Sequence, residues 1–282
     1  MFTLSARQDQ IMALVRVAGR VSVDALAEKF AVSPQTIRKD LNELCEARLL
    51  SRVHGGAMLA SGTENMAYAA RRALAADEKK RIAAAAARLV PDGSSLFINI
   101  GTTTEEFARA ITGRRGLLVI TNNLHVVSIL LPSPEIEVVV AGGLVRRADG
   151  GIVGEATMDM VSQFKVDLAV IGASAIDEDG TLLDFDYREV RVTQRIIANA
   201  RKVILVVDAL KFARSAPVRI AHVAQLAAVV TDARPPDRFA QACAEAGVEL
   251  VVAAGQGPRG AASEDEAMGN EPPLAENETH LR

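Results

Sequence analysis

Residues 31–44 read Ala31-Val32-Ser33-Pro34-Gln35-Thr36-Ile37-Arg38-Lys39-Asp40-Leu41-Asn42-Glu43-Leu44. Ser33 followed by Pro34 is a strong helix start. The serine oxygen accepts from an otherwise orphaned backbone N–H, and proline fits the first helical position, where no donor is needed. Ile37, Leu41 and Leu44 then recur at the spacing of one apolar helix stripe. Gln35, Thr36, Arg38 and Lys39 fall on the other side, in the first turns. Short polar and basic side chains in those turns are what a recognition helix carries into the DNA major groove. Upstream, Ile11, Leu14 and Val15 behind Arg7 mark a helix that Gly19 ends, and Ser22 caps a second with the face Leu26, Ala27 and Phe30. The Phe30–Ser33 connection is as short as a helix-turn-helix requires.

Downstream, Leu49 to Leu59 alternates on both sides of Gly55-Gly56, the pattern of a β-hairpin with a tight turn. A ribbon beside a helix-turn-helix is a wing, and Arg52 and His54 are placed on it to meet phosphate or the minor groove. Ser33, Gln35, Thr36, Arg38, Lys39, Arg52 and His54 are thus the candidate DNA contacts. Any one of these features also suits a small helical bundle with solvated charges; their combination points to DNA. Residues 7–57 resemble the N-terminal DNA-binding domain of the DeoR family of bacterial regulators. The resemblance is carried by Arg7, Ile11, Val21-Ser22-Val23, Leu26-Ala27, Phe30, Val32-Ser33, Thr36-Ile37-Arg38, Asp40-Leu41, Leu44, Leu49, Arg52 and His54-Gly55-Gly56-Ala57. It implies that Ser33–Glu46 is the recognition helix.

Residues 77–253 have a different texture. Apolar runs rich in branched aliphatics recur at Ser95–Ile100, Leu117–Thr121, Ile136–Ala141, Leu168–Ile171, Val203–Val207, Ala227–Thr231 and Val248–Val252. They suit parallel strands buried on both faces. Helical patterns lie between them, at Asp77–Leu89, Thr104–Ile111, Leu124–Leu131, Tyr187–Asn199 and Pro236–Ala246, with Asp77 the expected N-cap of the first and Gly247 the expected end of the last. This alternation predicts a mostly parallel sheet between helices. The expected fold class is α/β, with a winged helix-turn-helix domain at 3–58, a linker at 59–76, an α/β domain at 77–253 and a disordered acidic tail at 254–282.

The first strand of that domain ends at Gly101-Thr102-Thr103-Thr104, just before a helix. Glycine permits the tight turn, and the N–H groups and hydroxyls beyond it face the positive end of the helix dipole, an anion cradle. There is no Walker lysine spacing and no GxGxxG, which argues against ATP and dinucleotides. Threonines that merely cap the helix are the plainer alternative. Asn122-Asn123, Gly142-Gly143, Ser174 and Lys211 also follow strands, and strand C-termini share the edge where ligands bind in a parallel sheet. Asp184, Asp186 and Glu189 supply carboxylates for sugar hydroxyls, and Lys211 a point charge for phosphate. The candidate effector residues are Gly101, Thr102, Thr103, Thr104, Asn122, Gly142, Gly143, Asp184, Asp186, Glu189 and Lys211. Together they suggest a small phosphorylated polyol or sugar.

Residues 78–252 resemble the effector-binding domain of the same family, through Ile100-Gly101-Thr102-Thr103, Thr121-Asn122-Asn123, Ala141-Gly142-Gly143, Gly150 to Thr157, Asp184-Phe185-Asp186-Tyr187 and Glu189-Val190-Arg191. The resemblance implies a fold related to ribose-5-phosphate isomerase and favours glycerol 3-phosphate as effector. In Asp208-Ala209-Leu210-Lys211 the chain has apolar residues where many relatives carry serine.

Composition narrows the rest. Hydrophobic residues make up 49% of 282, ample for a core, while aromatics are 4% with no Trp, which argues against stacked-base reading of single strands. Two distant cysteines and four histidines show no metal spacing, so no metal and no cofactor is expected. The first residues lack an apolar signal region and no run is long and apolar enough to span a bilayer, so the expected place is the cytoplasm, without membrane partners. Net charge is −3, but residues 255–282 contribute −4 and residues 1–60 carry +2. The acidic total therefore conceals a weakly basic head. One such head offers little non-specific affinity, and a homodimer or homotetramer on operator DNA is expected. The reading is a repressor released by a phosphorylated polyol or sugar, with no catalytic residues. A phosphosugar isomerase using Asp184, Asp186, Glu189 and Lys211 as acid–base groups remains the alternative, and it leaves residues 5–59 without a purpose.

Overall fold

The structure is a computed structural model that describes residues 4–18, 20–47, 49–53, 55–59 and 68–253. Its N-terminal unit contains α1 (Ala6–Ala18), β1 (Arg20–Ser22), α2 (Val23–Phe30), α3 (Pro34–Glu46), β2 (Leu50–Val53) and β3 (Gly56–Leu59). Local chemistry starts each helix. Ser5 and Gln8 form a reciprocal cap on α1, with Ser5 Oγ accepting from Gln8 N at 3.2 Å and Gln8 Oε1 from Ser5 N at 3.0 Å. Ser22 accepts from Ala25 N on α2, and Ser33 from Thr36 N on α3, whose first residue is Pro34. The turn between α2 and α3 is closed by Ala31 at φ +51°, with Val32 N donating to Ala27 O at 3.1 Å. Ile11, Met12, Val15, Leu26, Ile37, Leu41 and Leu44 fill the core.

The ribbon gains a strand that alternation did not reveal. β1 pairs antiparallel with β3, giving the order β1-β3-β2. Val53 pairs with Gly56, so Gly56 lies in the strand rather than in the turn. It is glycine for a steric reason: a Cβ there would stand 1.9 Å from the Val21 carbonyl oxygen of β1.

α4 (Tyr68–Ala73) follows, inside the stretch expected to be linker. Ala70 and Leu74 belong to the same apolar cluster as the N-terminal core.

The C-terminal unit then runs α5 (Ala76–Ala87), β4 (Ser95–Ile98), α6 (Thr102–Ala110), β5 (Leu117–Thr121), α7 (Leu124–Leu130), β6 (Ile136–Val140), β7 (Leu144–Val145), β8 (Ile152–Val153), α8 (Glu155–Val161), β9 (Val166–Ile171), β10 (Ala175–Ile176), β11 (Thr181–Asp184), α9 (Tyr187–Ala198), β12 (Ala200–Val206), β13 (Val218–His222), β14 (Ala228–Thr231), α10 (Asp237–Glu245) and β15 (Glu249–Val252). Seven strands form one parallel sheet in the order β15-β14-β12-β9-β4-β5-β6. Each run expected as a strand is in it. Successive residues point to opposite faces: Leu96 and Ile98 pack with Ile82, Phe107 and Leu130, while Phe97 packs with Val161, Val190 and Ile196. From β4 the order steps outward to β5 and β6, and from β9 the other way to β12, β14 and β15. The topological switch point therefore lies between β4 and β9, the position where open α/β sheets bind ligands. Two smaller antiparallel pieces are β10-β11-β13 and β7–β8, the latter meeting Asn122 and Asn123 just beyond the end of β5.

Asp77 is not the N-cap of α5. The helix begins earlier, at a capping Ala75 with φ +54°, and Asp77 pairs instead with Lys80 at 2.9 Å. Gly247, at φ +68°, follows the last helix as expected. No described helix is long and apolar enough to cross a membrane. The 254–282 tail lies outside the described residues.

Candidate DNA interface and effector site

On α3 the residues expected to read DNA share one surface. Gln35, Arg38 and Lys39 are exposed, and Ile37, Asp40, Leu41 and Leu44 are buried. Ser33 and Thr36 are spent partly on the helix start, their hydroxyls 2.9 Å apart. Buried Asp40 takes the fork of Arg7, at 2.5 and 3.2 Å, and Gln8 donates to Glu43 at 2.6 Å, so α1 fixes the rotation of α3 about its axis. Arg52 folds back from β2 onto α3, donating to the Arg38 carbonyl at 3.1 Å and to the Asn42 side chain. It ties wing to helix. His54 lies outside the described residues.

The effector candidates gather at the C-terminal strand edge. At the end of β4, Gly101 has φ +154°, and the Thr104 hydroxyl donates to Asn99 O at 2.7 Å and Gly101 O at 2.8 Å. Thr104 therefore shapes the turn, whereas Thr102 and Thr103 hydroxyls make no hydrogen bond among the described residues. The first N–H groups of α6 have no intrahelical acceptor, as at any helix start. Asn122 donates to Ile152 O at 3.0 Å, and its buried Oδ1 has no donor among the described residues. The buried Asn99 Oδ1 and Asn123 Nδ2 are likewise unpartnered there. Gly142 and Gly143 are exposed, and Gly143 must be glycine: a Cβ would sit 2.2 Å from Thr157 Oγ1.

The carboxylates are held differently from the sequence expectation. Arg146, on the β7–β8 loop, donates to Asp149 at 2.8 and 2.6 Å, to Asp186 at 3.0 Å and to Glu189 at 2.5 Å. Its side chain is only 14% exposed. Asp186 also caps α9 through Arg188 N. Burial pushes the carboxyls up; Arg146 outweighs it at Asp149, and Arg188 with Arg146 at Asp186, so both are held below the ordinary carboxylate range. Glu189 and Asp184 titrate above that range, first because they are buried and, for Glu189, because of Asp184 beside it.

On the other flank, Lys211 Nζ stands 3.8 Å from Asp208, which is buried. Burial lowers the Lys211 pKa, Asp208 opposes it, and Arg214 and Arg71 lower it further. Arg214 lies 5.6 Å from the centre of the Phe185 ring. From the N-terminal side, α4 lays two side chains on the edge. Tyr68 donates to Glu105 at 2.8 Å and stacks on His125 with ring centres 4.9 Å apart, and Arg71 donates to Asp149 at 3.1 Å. Buried Lys79 donates to the Arg71 and Leu74 carbonyls at the end of α4, and desolvation brings its pKa down to about 8. The sequence reading missed Arg146, Asp149, Arg71, Tyr68 and Arg214. The Arg146-Arg147 pair just after Gly142-Gly143 was the one local signal available.

The model described as the DeoR-like helix-turn-helix domain matches residues 7–63, and that described as the DeoR C terminal sensor domain matches residues 74–233. The chain is 47% identical over 244 residues to the glycerol-3-phosphate regulon repressor of Escherichia coli, covering 86% of this chain and 97% of that protein. It is 45% identical over 222 residues to the repressor of the same description from Haemophilus influenzae, covering 79% and 87%. Identity to the Escherichia coli HTH-type transcriptional repressor CsqR is 40%, covering 89% and 96%. Among solved structures, ribose 5-phosphate isomerase A from Methanocaldococcus jannaschii overlaps 49% of this chain and 55% of its own at TM-score 0.38 and 20% identity.

Proposed function

The chain belongs to the DeoR family of helix-turn-helix regulators, and from that we propose that it is an operator-binding transcriptional repressor of a carbon-catabolism regulon, released by glycerol 3-phosphate. One observation carries the reading: the helix that leaves the DNA-binding head, α4, ends its side chains on the ligand-binding edge of the parallel sheet. The protein is a regulator rather than an enzyme. Of the four acid–base groups an isomerase would draw on, Asp184, Asp186, Glu189 and Lys211, Asp186 and Glu189 are tied to Arg146.

In this account Gln35, Thr36, Arg38 and Lys39 meet DNA, while Arg52 braces the wing and its helix. Glycerol 3-phosphate places its phosphate near Lys211 and the start of α6, and its hydroxyls near Asn122 and the Asp184 side of the edge. It releases DNA only to the extent that it binds the released conformation better than the operator-bound one. Two or four heads on one operator supply the affinity that a single head lacks, and the protein acts in the cytoplasm where that DNA is. Thermal melts with glycerol 3-phosphate and other phosphorylated polyols and sugars test the effector, because a ligand of the native state raises the melting temperature. Stabilisation by glycerol 3-phosphate is expected. Stabilisation only by another sugar phosphate reassigns the effector, and turnover of any of them overturns the repressor reading.

A further inference from the structure

We propose that Arg71, on the helix α4 that connects the two units, binds the phosphate of the effector together with Arg214, so that the connecting helix is itself a wall of the effector site. The proposal rests on the effector reading above and adds residues to it.

Arg71 stands among the groups of the strand edge. Its Nη2 meets Asp149 at 3.1 Å, and its charge is felt at Lys211, Arg214, Asp184 and Glu189. Its side chain is 13% exposed, and its buried Nε has no acceptor among the described residues. Arg214 is buried too, and both its Nε and its Nη1 lack acceptors there. Buried guanidinium donors without acceptors are costly, and more so beside other cations. Arg71, Lys211 and Arg214 repel one another, while Lys211 Nζ has Asp208 at 3.8 Å and burial favours the neutral form of Asp184. A doubly charged phosphate supplies what this cluster lacks: negative charge and several acceptor oxygens at once. A guanidinium binds phosphate through two parallel N–H donors, a geometry that a lysine cannot reproduce.

The placement on α4 gives the contact its consequence. Tyr68 is held by Glu105 and His125, Lys79 grips the carbonyls at the end of the helix, and Ala70 beside Arg71 shares the apolar cluster of the DNA-binding head. A phosphate that draws Arg71 away from Asp149 therefore pulls on an element that touches both units.

The test compares full-length wild type, Arg71→Gln, Arg71→Lys and Arg214→Gln. Calorimetric titration uses glycerol 3-phosphate, with glycerol and inorganic phosphate as controls. Each variant is also scored for the glycerol 3-phosphate concentration that half-releases the operator. Loss of at least about tenfold in glycerol 3-phosphate affinity is expected for Arg71→Gln and Arg214→Gln, with partial recovery in Arg71→Lys. Affinity for inorganic phosphate should fall in parallel. If Arg71→Gln melts too low to assay, Arg71→Lys and Arg214→Gln carry the same comparison. Wild-type affinity and wild-type release in the Arg71 variants overturn the proposal while leaving the effector reading intact. A wild type that binds no phosphorylated polyol overturns both.

Discussion

Replacing Arg146 with methionine removes the cation that Asp149, Asp186 and Glu189 share, leaving Arg71 beside Asp149 and Arg188 beside Asp186, without opening a large gap. Asp149 is 3% exposed, Glu189 8% and Asp186 24%, and all three lie 2.5–3.0 Å from the guanidinium. Removing one partner of a buried ionic cluster costs about 3–5 kcal/mol, because the remaining charges stay desolvated. For a unit of this size each kcal/mol lowers the melting temperature by roughly 2–4 °C, so the expected drop at pH 7 is about 6–20 °C. The pH dependence has a definite sign. In wild type, Asp149 and Asp186 have lowered pKa values, so their contribution to stability is present above the unfolded carboxylate pKa and is lost as pH falls through the folded one, whereas Glu189 and Asp184, with raised pKa values, already take up protons on folding and add stability as pH falls. Without Arg146, burial, opposed at Asp149 only by Arg71 and the Gly151 N–H, raises the pKa of Asp149 and raises that of Glu189 further. Folding then takes up more protons than in wild type, and the variant gains more stability than wild type does as pH falls from 7 towards 5. Calorimetric melts of both proteins at the two pH values measure this. A drop under about 2 °C at pH 7, or one that does not shrink at pH 5, refutes the assignment of Arg146 as the counter-charge of the edge.

Arg38→Ala should weaken operator binding by roughly 1–3 kcal/mol in a mobility-shift assay while leaving the melting temperature within a degree or so, since the side chain is exposed. Gly56→Ala forces a Cβ against the Val21 carbonyl, so β1 must part from β3, and operator binding should be lost together with amide protection in the ribbon. Thr102→Ala combined with Lys211→Ala should give a repressor that binds the operator as wild type does but no longer releases it with glycerol 3-phosphate; normal release would remove both residues from the site.

The large elements were legible because their physics is local and repeated. Seven runs of branched aliphatics gave seven parallel strands, since a strand covered on both faces must be apolar throughout. Ser33-Pro34 placed the start of α3 to the residue. The short strands β1, β7, β8, β10, β11 and β13 escaped because two to five residues carry no usable period; their pairing partners fix them. α4 escaped for a related reason. Tyr68-Ala69-Ala70-Arg71-Arg72-Ala73 has no apolar stripe, and its side chains are instead held by Glu105, His125 and Asp149. In the site, the strand-end glycines and threonines were visible as turn and cap residues. The role of Asp186 and Glu189 was not, because their partner Arg146 is some forty residues away in sequence and close only after the β7–β8 hairpin folds over the edge.

In the proposed function one chain joins operator binding to a phosphorylated effector. A mobility-shift titration of the full-length protein on its operator, with glycerol 3-phosphate added at increasing concentration, reads both properties in one experiment. Saturable release by glycerol 3-phosphate, with glycerol ineffective, is the predicted result. Operator binding unchanged at every concentration of glycerol 3-phosphate and of other phosphorylated polyols and sugars would contradict it.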